Sequence, residues 1–253
     1  MTRGPAWAAG AAALALAAGL LGGCGGSPAP LGPSGIDGLT IPTPRPDPTD
    51  YVDRVDNRWF PLVPGTRWTY RRYSQTDLHT VIATVLPGTR AVAGVPTTAV
   101  RFAVRRSSGG TTFAAVRWYA QDTAGNVWWF GQRVGRTFPI DPLATRSWMA
   151  GRRGAEAGLV MSAHPRVGDG FVNGSLPHAM ERRSTVLSVD ASVALPRGHY
   201  HHAVETRDLS ALAPLGVVAT YFAPGVGIVA QDTADTVDSE LTLVRFSRPP
   251  PHT

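Results

Sequence analysis

The stretch RWYAQDTAGNVWWFG, residues 117–131, indicates an antiparallel β-hairpin. Strand-forming residues on both sides are joined by the turn Asp-Thr-Ala-Gly at 122–125, a composition typical of tight turns. The returning arm, Val-Trp-Trp-Phe at 127–130, is apolar on both faces, because successive side chains of a strand point to opposite sides. Such a strand must be covered on both faces: the core covers one face, and either a covering segment or a ligand covers the other.

Short runs of Val, Thr, Trp, Tyr and Phe recur after residue 66 between Gly, Pro and Asp turns, and helix signals are scarce. The strand predicted over 66–73 places Trp68 and Tyr70 on one face and Arg67 and Arg71 on the other, so one face is core and one is solvated. About ten such strands are expected. The sequence therefore predicts a mainly all-β domain with little helix, over residues 56–248, followed by a short tail.

The second half of this domain resembles the first. PLVPGTRWTY at 61–70 is matched by PRVGDGFV at 165–172, and YAQDTAGNV at 119–127 is matched by FAPGVGIV at 222–229. The same order of segments predicts a duplicated antiparallel β-meander, curved into a half-barrel or a sandwich. Chance similarity between turn-rich segments is the alternative. Residues 132–164 fit neither half, and we expect an irregular crossover with one short helix there.

Residues 1–23 have the pattern of a lipoprotein signal peptide. Arg3 precedes an Ala/Leu-rich segment that ends in Leu-Gly-Gly-Cys, and Cys24 is the only cysteine. This ending resembles the lipobox, which implies an acylated Cys24 anchored at the outer face of the cytoplasmic membrane. An ordinary signal peptide that happens to precede a cysteine is the alternative. The Pro/Gly-rich residues 24–55 are expected to form a tether with a reach of about 30 Å.

The charge pattern bears on possible partners. All 24 basic residues are Arg, and removal of the leader leaves 23 of them against 18 acidic residues. A basic surface favours anionic lipid or a cell-wall polymer. Export and the lack of a dense basic run argue against nucleic acid. With its one cysteine acylated, the chain cannot form an internal disulfide.

Four segments carry a resemblance to a known group of proteins: residues 58–70, 117–131, 147–169 and 220–229. They resemble an uncharacterised family of secreted, β-rich bacterial lipoproteins of the actinobacterial type. The resemblance implies a β fold and an envelope location, and it supplies no activity and no catalytic residues. The last segment is also similar to a turn in the curved sheets of LolA-like lipoprotein carriers, which is consistent with a half-barrel.

Signals for chemistry are sparse. His199 and His201 share one face of a predicted strand and could grip one Zn²⁺ or Cu²⁺, but no third ligand follows at a suitable spacing. Incidental histidines on a solvated face are the alternative. The sequence has no nucleophile-elbow pattern. We therefore expect no cofactor, no resident metal and no enzymatic activity.

The favoured hypothesis is an envelope lipoprotein that binds an apolar or amphiphilic ligand. Trp128, Trp129 and Phe130 are the candidate contacts for its apolar part, and Arg152 and Arg153 for its anionic end. This hypothesis predicts a continuous apolar cavity of several hundred Å³. The alternatives are a structural or protein-interaction module with no ligand pocket, and a metal-dependent enzyme that uses the histidine region.

Overall fold

The structure, a computed structural model, describes residues 46–74, 77–105, 109–135, 146–177, 180–196, 198–210, 213–233 and 241–250. The leader, Cys24 and most of the expected tether lie outside these residues. Apart from one 3₁₀ turn at Pro48–Asp50, the regular elements are strands. They are β1 (Tyr51–Val52), β2 (Arg67–Ser74), β3 (Asp77–Val92), β4 (Val95–Arg105), β5 (Thr111–Asp122), β6 (Val127–Val134), β7 (Trp148–Met149), β8 (Glu156–Met161), β9 (Gly170–Leu176), β10 (Met180–Leu195), β11 (Gly198–Ser210), β12 (Ala213–Ala223), β13 (Gly227–Thr233) and β14 (Leu241–Ser247).

Twelve of these strands form a closed antiparallel barrel. Each of β2–β6 and β8–β14 pairs with its neighbours in this series, and β14 pairs with β2, from Leu241 opposite Arg72 to Ser247 opposite Arg67. The all-β prediction is confirmed, and the expected half-barrel or sandwich is corrected to a closed barrel. Closure is favoured because each six-stranded half would otherwise expose two unpaired edges.

The short strands β1 and β7 lie outside this ring. β1 pairs with the end of β5, and β7 pairs with β6. β8, at Glu156–Met161, lies within the segment expected as a crossover and is one of the barrel strands. In that segment the described residues form strands and turns, and residues 136–145 lie outside the description.

The barrel consists of two similar six-stranded meanders, β2–β6 with β8 and β9–β13 with β14. The second strand of each, β3 or β10, is 16 residues long. The turn before each first strand makes the same pair of backbone hydrogen bonds. Gly65 N and Thr66 O bond to Val85 at 3.0 and 2.9 Å, and Gly168 N and Asp169 O bond to Val186 at 2.9 and 2.9 Å.

Cross-strand pairing shows which residues are equivalent in the two meanders. In the first, Trp68 of β2 lies opposite Ala83 of β3, which lies opposite Phe102 of β4. In the second, the corresponding residues are Phe171, Ser184 and Asp208. The predicted alternation in β2 is confirmed, because Trp68 and Tyr70 are buried while Arg67 and Arg71 are exposed.

A strap, residues 53–66, leads from β1 into the barrel. The Gln121 side-chain oxygen accepts hydrogen bonds from the backbone N–H groups of Asp56 (2.9 Å) and Asn57 (2.8 Å). Hydrogen bonds from Arg54 and from the Gln121 amide hold the pKa of Asp56 below its usual range. The ring of Phe60 lies 5.1 Å from that of Tyr119 and 6.2 Å from that of Phe222, so the strap contacts both meanders.

Candidate functional site

The aromatic residues of β6 are packed into protein. Trp128 donates its indole N–H to Asp122 at 2.8 Å, and the ring of Phe130 meets the edge of Tyr51 at 5.4 Å. Trp129 packs edge-on against Trp148, with ring centroids 5.0 Å apart. The strand is thus covered on both faces, as its sequence requires, and the hairpin, β1 and β7 contribute to the cover.

The interior of the barrel contains two adjoining cavities, of about 70 and 40 Å³. Both are lined by Phe60, Arg117 and Tyr119 among other residues. Trp129 borders the smaller cavity, whereas Trp128 and Phe130 line neither. These volumes are well below the several hundred Å³ expected beside the aromatic strand.

The larger cavity lies against the first meander and is mainly apolar. Its wall includes Leu62, Trp68, Val81 and Val100. The Tyr70 hydroxyl also reaches this wall and donates to Ile228 O at 3.0 Å. Burial raises the pKa of the Tyr70 phenol far above its ordinary value, so this hydroxyl remains a neutral donor.

The smaller cavity lies against the second meander and is polar. Asp208, which is 2% exposed, accepts hydrogen bonds from Arg182 at 2.7 Å and from Thr220 at 2.8 Å. The Ser184 hydroxyl lies within hydrogen-bond distance of both Asp208 and Asn173. A buried carboxylate requires such partners, because an uncompensated charge is costly in the interior.

A larger opening, the arginine groove, has a volume of about 660 Å³. Within the described part of the chain, its cationic lining consists of five exposed residues, Arg90, Arg133, Arg146, Arg152 and Arg153. Apolar and aromatic residues form much of the remainder, namely Trp118, Trp148, Met149, Leu176 and Pro177. The structure therefore brings the two predicted arginines together with three that were not predicted, whereas Trp128 and Phe130 do not line this groove.

Docking of β7 on β6 shapes one wall of this groove. A Cβ atom added to Gly131 would lie 2.5 Å from Trp148 O, so only glycine lets the two strands approach. The side chain of Gln132 donates to Arg146 O at 2.8 Å and accepts from Arg117 Nε at 3.2 Å. Gln132 thereby links the groove to the interior of the barrel.

The two predicted arginines occupy a tight turn after β7. Arg152 N bonds to Met149 O at 3.2 Å, and Ala155 N bonds to Arg152 O at 3.0 Å. Arg153 has a φ of 54°, in the left-handed region that non-glycine residues rarely occupy. Strained backbone of this kind persists only where surrounding structure holds it, and it is frequent at ligand-binding sites.

Four of the five arginines of the groove are available for an external anion. Arg90, Arg146, Arg152 and Arg153 form no ion pair within the described part of the chain. The guanidinium of Arg90 stacks on the ring of Trp118 at 4.9 Å, which fixes its position without neutralising its charge.

The histidines of β11 make two side-chain contacts at the protein surface. His202 Nδ1 lies 2.6 Å from Asp190 Oδ1, and His201 Nδ1 lies 3.2 Å from the Ser192 hydroxyl. Both histidines and His199 are exposed. Among the described residues, no group of three or more His, Cys, Asp or Glu side chains is arranged to hold a metal ion.

Sequence reasoning missed Arg90, Arg133, Arg146 and Gln132. Nothing in the local pattern distinguishes these three arginines from the many others on strand faces and turns. Gln132 did carry a signal, because it follows the two-sided apolar run after a single glycine and a polar residue there needs a buried partner.

Comparisons with known proteins give little further information. No family model matches the chain, and no curated protein matches it. Among solved structures, a "putative lipoprotein" from Parabacteroides distasonis ATCC 8503 aligns over 76% of this chain and 99% of its own, with 11% identity and a TM-score of 0.35. At these values the likeness carries no inference. In the described residues, no helix has the length and apolar character needed to cross a membrane.

Proposed function

We propose that this chain is an envelope-anchored lipoprotein, held at the outer face of the cytoplasmic membrane through Cys24, whose barrel binds an anionic amphiphile in the arginine groove. The observation that carries the proposal is the groove itself. It combines five guanidinium groups with a wall of Trp, Met, Leu and Pro residues in about 660 Å³. Ligand sites commonly occupy about 300 to 1,000 Å³ and pair apolar walls with a few charged groups.

The charges favour an oxyanion such as a phosphate or carboxylate head group. A guanidinium presents a planar set of donors that matches these groups, and several in one groove concentrate anions there. Trp118 and Met149 offer apolar surface beside the charges, which suits a ligand with an attached hydrocarbon part. An anionic envelope lipid has this combination.

Binding is favoured over catalysis by the chemistry of the lining. Among the described residues that line the groove, the ionisable side chains are arginines, which stay protonated at physiological pH and cannot act as general bases. Membership of the secreted β-lipoprotein family that the motifs resemble, and lipid attachment at Cys24, belong to the same proposal. A tether of about 30 Å would keep the groove within reach of the membrane surface.

The experiment is native mass spectrometry with lipid extraction on the full-length chain, purified from membranes of a lipid-rich bacterial host. We expect one anionic amphiphile per chain, lost in Arg152→Gln/Arg153→Gln. The matched control, Arg101→Gln/Arg105→Gln, removes the same charge from exposed positions of β4 outside the groove. A chain without bound amphiphile, or equal loss in both variants, would overturn the proposal. An unmodified Cys24 would remove the anchor from it.

A protein-interaction module is the second candidate, and one surface feature favours it. Val172 and Leu209 are both about two-fifths exposed and flank Arg183 on adjacent strands. A bare chain in the mass spectrum, together with loss of a co-purifying protein in Leu209→Ser, would favour this function.

A further inference from the structure

A second cationic surface lies on the outside of the first meander and of β14, apart from the arginine groove. We call it the cationic face, and it comprises five exposed arginines of β2, β4 and β14: Arg67, Arg71, Arg101, Arg105 and Arg245. None of them lines the groove, and within the described part of the chain none forms an ion pair. Their charges are therefore available to a partner outside the chain.

Cross-strand pairing arranges four of these arginines in two rows across β2, β3 and β4. The rows are Arg67, Thr84 and Arg101, and Arg71, Thr80 and Arg105. Strands lie about 4.8 Å apart and rise about 3.4 Å per residue, so the four arginine backbone positions mark a rectangle of about 10 by 14 Å. The charges are thus spread over an area instead of gathered around one point, which suits an extended anionic surface better than a single small anion.

The strands of the cationic face contain almost no acidic residue to offset these charges. β2, β4 and β14 contain none, and in β3 the first residue, Asp77, is the one acidic residue. Strands of the second meander differ, because β10, β11 and β13 each contain at least one Asp or Glu. The positive charge of the strands is therefore concentrated on one side of the barrel, where it attracts anions.

The start of the described chain lies beside the same strands. Pro48 packs against Gly94, in the turn that joins β3 to β4, with its Cγ 3.6 Å from the position of a Cβ on Gly94. The described chain thus begins at one end of the strands that carry the cationic face. With the reach of about 30 Å expected of the tether, a leaflet that holds an acylated Cys24 lies within range of this face.

Anionic head groups give a membrane leaflet a negative surface, and clusters of exposed Arg or Lys bind to it. We infer that the cationic face docks the barrel side-on against an anionic membrane leaflet, the one that holds its anchor. Docking also brings the groove to the head groups, because Arg90 of β3 and Trp118, which lies opposite Ala99 of β4, line the groove. Delivery of an amphiphile to the groove rests on the proposed function, whereas docking rests on the charges of the face and on the anchor.

The test follows the orientation of the full-length chain in nanodiscs. A fluorescent coumarin amino acid replaces Thr84 within the face or, as the control, Ser192 on β10. β3 and β10 are the second strands of the two meanders, so the two labels lie on opposite sides of the ring. Nitroxide on a small fraction of the lipid head groups quenches a label that comes close to the bilayer. We expect quenching at position 84 to rise at least about threefold, and at position 192 to change little, when about a third of the phosphatidylcholine is replaced by phosphatidylglycerol.

Charge variants identify the attraction. Arg67→Gln, Arg71→Gln, Arg101→Gln and Arg105→Gln together should abolish the rise at position 84. The corresponding four Lys substitutions should retain it, since attraction to a charged surface depends on the charge and not on guanidinium geometry. Circular dichroism checks that both variants keep the barrel. In about 1 M salt, where charges are screened beyond about 3 Å, the unsubstituted chain should lose the rise as well.

Four results would overturn the inference: no dependence on phosphatidylglycerol, an equal rise at both labels, a rise retained by the glutamine variant, or a rise lost in Arg152→Gln/Arg153→Gln. The last result would assign the attachment to the groove. The amphiphile of the groove should stay bound in the glutamine variant, because none of its four substituted arginines lines the groove. Failure of docking is therefore distinguishable from failure of the groove.

Discussion

The two meanders share a backbone arrangement and differ in what they bury. In the first, Tyr70, Val81, Ala83 and Phe102 line an apolar cavity. At the corresponding positions the second has Asn173, Arg182, Ser184 and Asp208, which form one hydrogen-bonded cluster. A β-meander therefore accommodates either kind of interior when its buried charges are paired, as Arg182 and Asp208 are.

The two meanders also differ in the segments that pack around them. The first meander bears β1, the strap and β7, and its β6 is covered on both faces. At the position of Gly131 in the first meander, the second has Ala230. In both meanders the strand pairing has a bulge next to this position, at Trp118/Tyr119 and at Tyr221/Phe222. The groove thus depends on extra chain added to only one copy of a repeated unit.

Of the substitutions that distinguish the two meanders, Asp208→Ala should lower the free energy of unfolding the most. It removes the carboxylate at the centre of the polar cluster and leaves the charge of Arg182 buried. Such a change costs about 3 to 5 kcal/mol of unfolding free energy. Urea unfolding at neutral pH measures this loss. Asp190→Ala, at an exposed site on β10, is the control and should change stability by less than about 0.5 kcal/mol. A loss below about 1 kcal/mol for Asp208→Ala would show that the cluster is not a coupled unit.

A fourfold exchange tests the same difference between the interiors of the two meanders. Asn173→Tyr, Arg182→Val, Ser184→Ala and Asp208→Phe together give the second meander the interior residues of the first. Since replacing a whole buried ion pair with apolar residues is often neutral, we expect this variant to be more stable than Asp208→Ala alone. A fourfold variant less stable than the single one would mean that the two interiors are not interchangeable.

Gly131→Ala tests whether the groove depends on the docking of β7 against β6. The new Cβ would meet Trp148 O at 2.5 Å and Met149 Cα at 2.8 Å, so β7 must shift. We expect a loss of about 1 to 3 kcal/mol, with release of the amphiphile from the groove. Ala230→Gly at the equivalent position should cost no more than about 1 kcal/mol and leave the amphiphile bound. Retained binding in Gly131→Ala would separate the groove from the docking of β7.

The smallest effect is expected at the paired turns. The Thr66 hydroxyl is buried without a hydrogen-bond partner, whereas the Asp169 carboxylate accepts from Arg166 N at 2.9 Å. Thr66→Val should therefore stabilise the barrel by about 1 kcal/mol, and Asp169→Val should destabilise it. Thermal unfolding should show Tm shifts of opposite sign, of about 2 to 4 °C in the first case. Shifts of the same sign would contradict this account of the two turns.

Sequence patterns were sufficient for most of the strands and for the repeat, because both depend on local alternation and turn composition; about ten strands were expected against fourteen observed in the described part of the chain, and β8 was missed within the expected crossover. The face assignment of Trp68 and Tyr70 followed from period-two spacing alone. Barrel closure could not be foreseen in this way, since it depends on pairing between the first and last barrel strands. The cover on Phe130 is another example: an apolar strand shows that something must cover it, and the identity of Tyr51 as part of that cover comes only from the fold.

The candidate site was predictable in part. Arg152 and Arg153 were recognisable as neighbours in an irregular segment, and they do line the groove. Arg90 lies on a different strand and reaches the same groove only through the curvature of the sheet. Convergence of exposed side chains from distant positions leaves no signature in local spacing.

Pairing of β14 with β2 also has a consequence for the order of folding. Chains are synthesised from the N-terminus, so β2 must wait for the whole of the remaining barrel before it acquires its second partner. During that time β2 presents an unpaired edge that can pair with other chains. Long-range closure of this kind is intrinsically slow. A chain that ends before Leu241 would keep that edge exposed permanently, and we expect such truncated chains to aggregate.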